Sequence, residues 1–107
     1  MIITLCGSLR FEEDIDKWNK RLSLSGHLVF GMASRGKVED EEEKTKLDLI
    51  HLFKIEMSDA VVVVNPGGYI GESVKREITW AEMKGKTVYT TDDEWYVAHN
   101  LLNDRRG

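Results

Sequence analysis

Apolar and polar residues follow two rhythms along this chain. Short apolar or β-branched runs at Ile2 to Cys6, His27 to Met32, Ala60 to Val64 and Lys86 to Thr90 predict strands. The four valines from Val61 to Val64 leave no polar face, the mark of a strand covered on both sides of a parallel sheet. Between the strands the spacing becomes helical. Phe11, Ile15, Trp18 and Leu22 form one stripe, with Glu12, Glu13 and Asp14 in the first turn and a stop at Ser25-Gly26. From Ala33 to Lys46 the chain is polar, a loop running into the first turns of a second helix, and its acidic block from Glu39 to Glu43 reads as a solvated face. That helix continues from Leu47 to Met57 with apolar residues nearly all round, so its second half is expected to be well buried.

A third helix is predicted from about Glu72 to Lys84, with Val74, Ile78 and Ala81 as its core stripe and Gly85 at its end. Asp92 or Asp93 caps a last helix carrying Trp95, Tyr96, His99 and Leu102. The order βαβαβαβα with short connections predicts a single α/β domain over 1–107: three layers, doubly wound and flavodoxin- or Rossmann-like, on a parallel sheet of four to five strands.

Composition narrows the class. The 107 residues suffice for one domain, and a net charge of −4 argues against binding polymeric nucleic acid. No apolar run approaches the roughly 18–20 residues of a membrane span, and the N-terminus carries no basic segment or cleavage site. One cysteine, Cys6, precludes an internal disulfide, which makes the cytoplasm the expected location. A domain of this size buries a modest share of its surface, so a homodimer or larger homo-oligomer is expected.

Three clusters offer chemistry. At the first strand-to-helix junction, Gly7-Ser8-Leu9-Arg10 presents backbone amides, a hydroxyl and a guanidinium to an anion; the alternative is a turn in which Ser8 caps the helix and Arg10 is exposed. Neither GxGxxG nor a Walker loop is present, so no nucleotide cofactor is expected. The second cluster is Tyr69-Ile70-Gly71-Glu72-Ser73, where a helix start faces the carboxyl edge of the sheet. Ser73 and Glu77 share a face one turn apart, about 5.4 Å; the alternative for Glu77 is an exposed acid pairing with Lys84 or Arg76. In the third cluster, Asp48 and His51 share a face, so the carboxylate can fix the imidazole tautomer and the imidazole can donate a proton; the alternative is a core histidine. Phe30 and Met32 end the second strand where a base could stack. Trp18, Phe11 and Leu22 read as core and Cys6 as a small buried hydrophobe. His27 and His99 lack partners at metal-ligand spacing and Cys6 stands alone, so no zinc site is expected.

The segments ITLCGSLRF, SDAVVVV and REITWAEMKGKTV, in that order, resemble the nucleoside 2-deoxyribosyltransferase superfamily, and within it the 2'-deoxynucleoside 5'-phosphate N-hydrolase branch. The resemblance implies that Glu77 is a nucleophile and that Ser8, Leu9 and Arg10 bind a 5'-phosphate, with Gly71 and Ser73 as a second phosphate loop. It also implies a nucleoside monophosphate or nucleoside as substrate, with hydrolysis of its N-glycosidic bond. Two departures are visible. The loop between Asp59 and Glu77 is about two residues longer here, and His51 stands where the hydrolase branch has a sugar-binding aspartate. A deoxyribosyltransferase and a non-catalytic nucleotide sensor remain the alternatives.

Overall fold

Every residue of the valine strand is buried because it lies inside the sheet with helices on both faces. The computed structural model describes residues 1–32 and 40–102. The elements are β1 (Ile2–Gly7), a 3-10 turn (Leu9–Phe11), α1 (Glu12–Leu24), β2 (Leu28–Phe30), α2 (Glu41–Glu56), β3 (Ala60–Val64), a second 3-10 turn (Pro66–Gly68), α3 (Glu72–Met83), β4 (Thr87–Thr90) and α4 (Glu94–Leu101). Part of the predicted polar loop, residues 33–39, lies outside the described residues.

The four strands are all parallel, in the order β2-β1-β3-β4. Their register divides the valines between two cores. Val62 and Val64 join Ile3 and Leu5 beneath Ile15, Trp18 and Leu22 of α1 and Val97 and Leu101 of α4. Val61 and Val63 face the other way, with Cys6, onto Ile55 of α2 and Val74 and Ala81 of α3. The architecture is thus the three-layer doubly wound α/β fold, with four strands. Asp59 ties the strand starts together: the Ile2 amide donates to its carboxylate, and its own amide donates to the Ile2 carbonyl, each at 2.7 Å.

Winding reverses between β1 and β3, whose carboxyl ends lie side by side with Gly7 paired to Val64. Such a switch point opens a crevice in any sheet of this kind. Gly7 is required there, since an added Cβ would stand 3.1 Å from the Val64 carbonyl oxygen and 3.2 Å from Ile15 Cδ1. Beyond β3, the buried Asn65 pins the loop. Its amide donates to Thr91 Oγ1 (3.0 Å), and its Oδ1 accepts from the Asp92 amide (3.1 Å). Gly67 and Gly68 then turn the chain at positive φ towards α3.

One expectation is corrected. The second half of α2 is not well buried: Leu49, Ile50, Phe53 and Met57 are exposed, Met57 at 70%. His51 and Ile55 are the buried residues of this helix. A helix laid on one face of a sheet buries a single stripe, and these four apolar side chains lie about 100° or more round the helix from His51.

Candidate functional site

A cavity of about 460 Å³ opens at the switch point, within the range of small-molecule sites. Gly7, Ser8 and Leu9 line it from the end of β1, Tyr69 and Gly71 from the loop after β3, Ser73 and Glu77 from α3, and Lys44, Asp48 and His51 from α2. Most of the residues singled out in the sequence are thereby brought into one hollow, although they come from three separate stretches of chain. Residues 44, 48 and 51 share a helix face, as do 73 and 77.

Glu77 points inward. Its side chain is 17% exposed, and Oε1 lies 3.6 Å from His51 Nε2. Burial pushes its pKa from 4.5 up to about 7; a hydrogen bond from the Cys6 thiol and the positive charge of Arg76 oppose the rise, and Asp48 adds to it. His51 moves the other way, from 6.5 down to about 4, chiefly through burial and then through Lys54, with Asp48 opposing. At neutral pH the imidazole is uncharged, so the 3.6 Å contact is neither an ion pair nor, at that length, a hydrogen bond. An imidazole of this kind does not fit the proton-donor role read for it from the sequence.

The orienting role read for Asp48 is also not seen. Its carboxylate accepts from Lys44 Nζ at 3.3 Å, and among the described residues no hydrogen bond joins it to His51. Instead His51 Nε2 meets Cys6 Sγ at 3.4 Å. Cys6 is fully buried, and burial followed by the charge of Glu77 pushes its thiol pKa well up. Read from the sequence as a small buried residue, Cys6 is that, and it also forms the floor beneath Glu77 and His51. The β-strand alternation that turns it towards the α2–α3 layer was legible; the two side chains awaiting it there were not.

At the turn from Gly7 to Arg10 the capping alternative is seen, with Arg10 exposed. Ser8 Oγ lines the cavity and also caps the first 3-10 turn, accepting from the Arg10 amide at 3.3 Å. Arg10 does not line the cavity; its guanidinium stacks over the ring of Tyr69, 4.1 Å from the centroid, and Tyr69 does line it. Ser73 Oγ accepts from Arg76 Nη2 at 3.3 Å. Phe30 is not among the lining residues, whereas Met32 is. Lys44 and Leu47 were missed, although their spacing to Asp48 and His51 places them on the same helix face.

Elsewhere, the remaining histidines serve other ends. His27 bonds the Leu101 carbonyl at 2.6 Å and the amino terminus at 3.1 Å, and His99 stacks on Trp95. Trp18 and Leu22 are core, with Phe11 packed against them. Among the described residues no helix is long and apolar enough to cross a membrane.

No family model and no curated protein matches this chain. Solved structures do. A 2-deoxyribosyltransferase of the psychrotolerant bacterium Bacillus psychrosaccharolyticus aligns over 84% of this chain and 71% of its own, with 19% identity and a TM-score of 0.67. A CMP N-glycosidase of Clostridium botulinum, BcmB, aligns over 96% of this chain and 84% of its own, again with 19% identity, at a TM-score of 0.59. The resemblance read from the short motifs is therefore borne out at the level of the fold.

Proposed function

We propose that this chain is an N-glycosidase that splits a nucleoside 5'-monophosphate, ribo- or deoxyribo-, into base and sugar phosphate, with Glu77 as the nucleophile. One observation carries the reading: the largely buried Glu77 carboxyl faces a hollow that also collects the Ser8 turn and the amino end of α3. Both proteins of like fold act on the bond between a sugar and a base by their names, which favours an enzyme over a binding protein.

In this reading the phosphate lies against the amides and hydroxyls of Gly7 to Leu9 and of Gly71 to Ser73, where the α3 dipole favours negative charge. Arg10, held on Tyr69, and Lys44 add positive charge nearby. Glu77 then attacks the anomeric carbon as the carbon–nitrogen bond breaks and its electron pair leaves with the base, which takes a proton from water. A second water opens the glycosyl ester, releasing the sugar phosphate and returning the carboxylate, and the proton it gives up neutralises the hydroxide left by the first. His51, uncharged, contributes a hydrogen bond and the shape of the wall.

The test is release of free base from a panel of ribo- and deoxyribonucleoside monophosphates and the matching nucleosides, followed by chromatography. Glu77→Gln is expected to lower turnover at least about a thousandfold, within the range for a nucleophile, while its circular dichroism stays that of the wild type. Full activity in that variant removes Glu77 from the chemistry. Base exchange on unphosphorylated nucleosides would instead identify a transferase, and binding without release a sensor.

The homo-oligomer expected from the size of the domain belongs to the same proposal. Leu49, Ile50, Phe53 and Met57 make a continuous apolar stripe on the outer side of α2, a kind of surface that soluble monomers seldom leave open. A second copy, packing the same stripe about a twofold axis, is the partner that the domain's size calls for.

A further inference from the structure

Cys6, His51 and Glu77 reach one point from three different elements, β1, α2 and α3. Their ligand atoms, a thiol sulfur, an imidazole nitrogen and a carboxylate oxygen, all lie within 4.8 Å of one another. We propose that these three side chains form a binding site for a single zinc-class divalent ion, with the ion's remaining position open to the cavity.

Two of the three ligand–ligand distances support it, and the third, sulfur to carboxylate oxygen, lies within 4.8 Å. In a tetrahedral zinc site, bonds of about 2.3 Å to sulfur and about 2.0–2.2 Å to nitrogen and oxygen place sulfur and nitrogen about 3.6 Å apart, and nitrogen and oxygen about 3.4 Å. Here Sγ to Nε2 is 3.4 Å and Nε2 to Oε1 is 3.6 Å. Shifts of a few tenths of an ångström would bring the two contacts to those values. The donor set is also selective. Thiolate with imidazole suits zinc, cobalt and related borderline ions, whereas magnesium and calcium favour all-oxygen shells.

Access is consistent with the site. Glu77 and His51 both line the open cavity, so an ion approaching from solvent meets nitrogen and oxygen first and the deeper sulfur last. The thiol gives up its proton to solvent on coordination, as metal-bound thiols do. A sequence reading based on the spacing of His27, His99 and Cys6 set a zinc site aside. The relevant histidine was His51, separated from Cys6 by 45 positions and brought to it only by the crossover of α2. Bound zinc would occupy the carboxylate assigned to attack. In that consequence, and only there, the inference rests on the proposed glycosidase reading.

Cobalt(II) titration of the whole protein under reducing, oxygen-free conditions tests the site without any need for activity. One ion per chain is expected, with the visible bands of a tetrahedral centre and a near-ultraviolet thiolate-to-cobalt band, all displaced by zinc. Cys6→Val should abolish the thiolate band, and His51→Ala and Glu77→Gln should each weaken zinc about tenfold or more. His51→Ala leaves the strand intact, so it decides the matter if Cys6→Val does not fold. Absence of stoichiometric binding, or a cobalt spectrum unchanged in Cys6→Val or in His51→Ala, overturns the site. If zinc binds as described but base release continues undiminished, the site stands and the role of Glu77 falls.

Discussion

Burial drives Glu77 and His51 in opposite directions, because it disfavours whichever form of each is charged. The carboxyl is held near pH 7 and the imidazole is kept neutral. If Glu77 attacks as its anion, kcat/KM for base release, measured with a chelator present, should climb with pH through about 7. A profile flat from pH 5 to pH 9 would exclude that role. Stability should show the opposite slope. A carboxyl whose folded pKa lies above its unfolded value favours folding fully below pH 4.5, and that favour is lost as pH rises to about 7. At about 1.4 kcal/mol per pKa unit, the loss is on the order of 3 kcal/mol at most. His51 has its folded pKa lowered, so its share is present above pH 6.5 and is lost as pH falls towards 4. Glu77→Gln removes only the first effect. It should therefore melt higher than the wild type at pH 8, with the gap closing at pH 5, as thermal scans at both values would show. Gly7→Ala probes a different limit at the same scale. Its methyl group would crowd the Val64 carbonyl and Ile15, costing about 1–3 kcal/mol by denaturant titration.

Elements were read well wherever a rhythm and a boundary signal coincided. β3 runs over Ala60–Val64 as predicted, since a two-sided apolar run between Asp59 and Asn65-Pro66 has no other stable placement. α4 begins as predicted behind Asp93, whose Oδ1 accepts from the Tyr96 amide at 3.2 Å. In the same way α2 starts behind Asp40, which accepts from the Glu43 amide at 2.8 Å. Asp93→Ala should cost about 1 kcal/mol of stability, read as a lowered melting temperature; no change would mean that packing alone sets that helix start. β2 is shorter than its apolar run, Leu28–Phe30 instead of His27 to Met32. An edge strand has one neighbour, and β1 pairs with it only from Ile2 to Thr4.

For the whole molecule, the uncovered side of α2 is the feature that a single chain leaves unresolved. Phe53 stands near the middle of that stripe at 55% exposure. Phe53→Asp should convert a homodimer to monomer in sedimentation at micromolar concentration without lowering the helix content, because the side chain packs into neither core. A wild-type protein that sediments as a monomer would refute the assembly.

The sequence by itself determined the order of elements, the parallel sheet and most members of the hollow. Those follow from local rhythm, from caps and from the rule that crossovers meet at a switch point. It also placed Ser8 and Gly71 at helix starts where an anion would be favoured, with Glu77 further along the helix that Gly71 opens. Only the tertiary structure decided which way Glu77 faces, that Arg10 lies on Tyr69, and that Cys6 sits beneath His51. These outcomes depend on contacts between residues tens of positions apart, and on the desolvation those contacts impose, neither of which leaves a periodic trace in the chain.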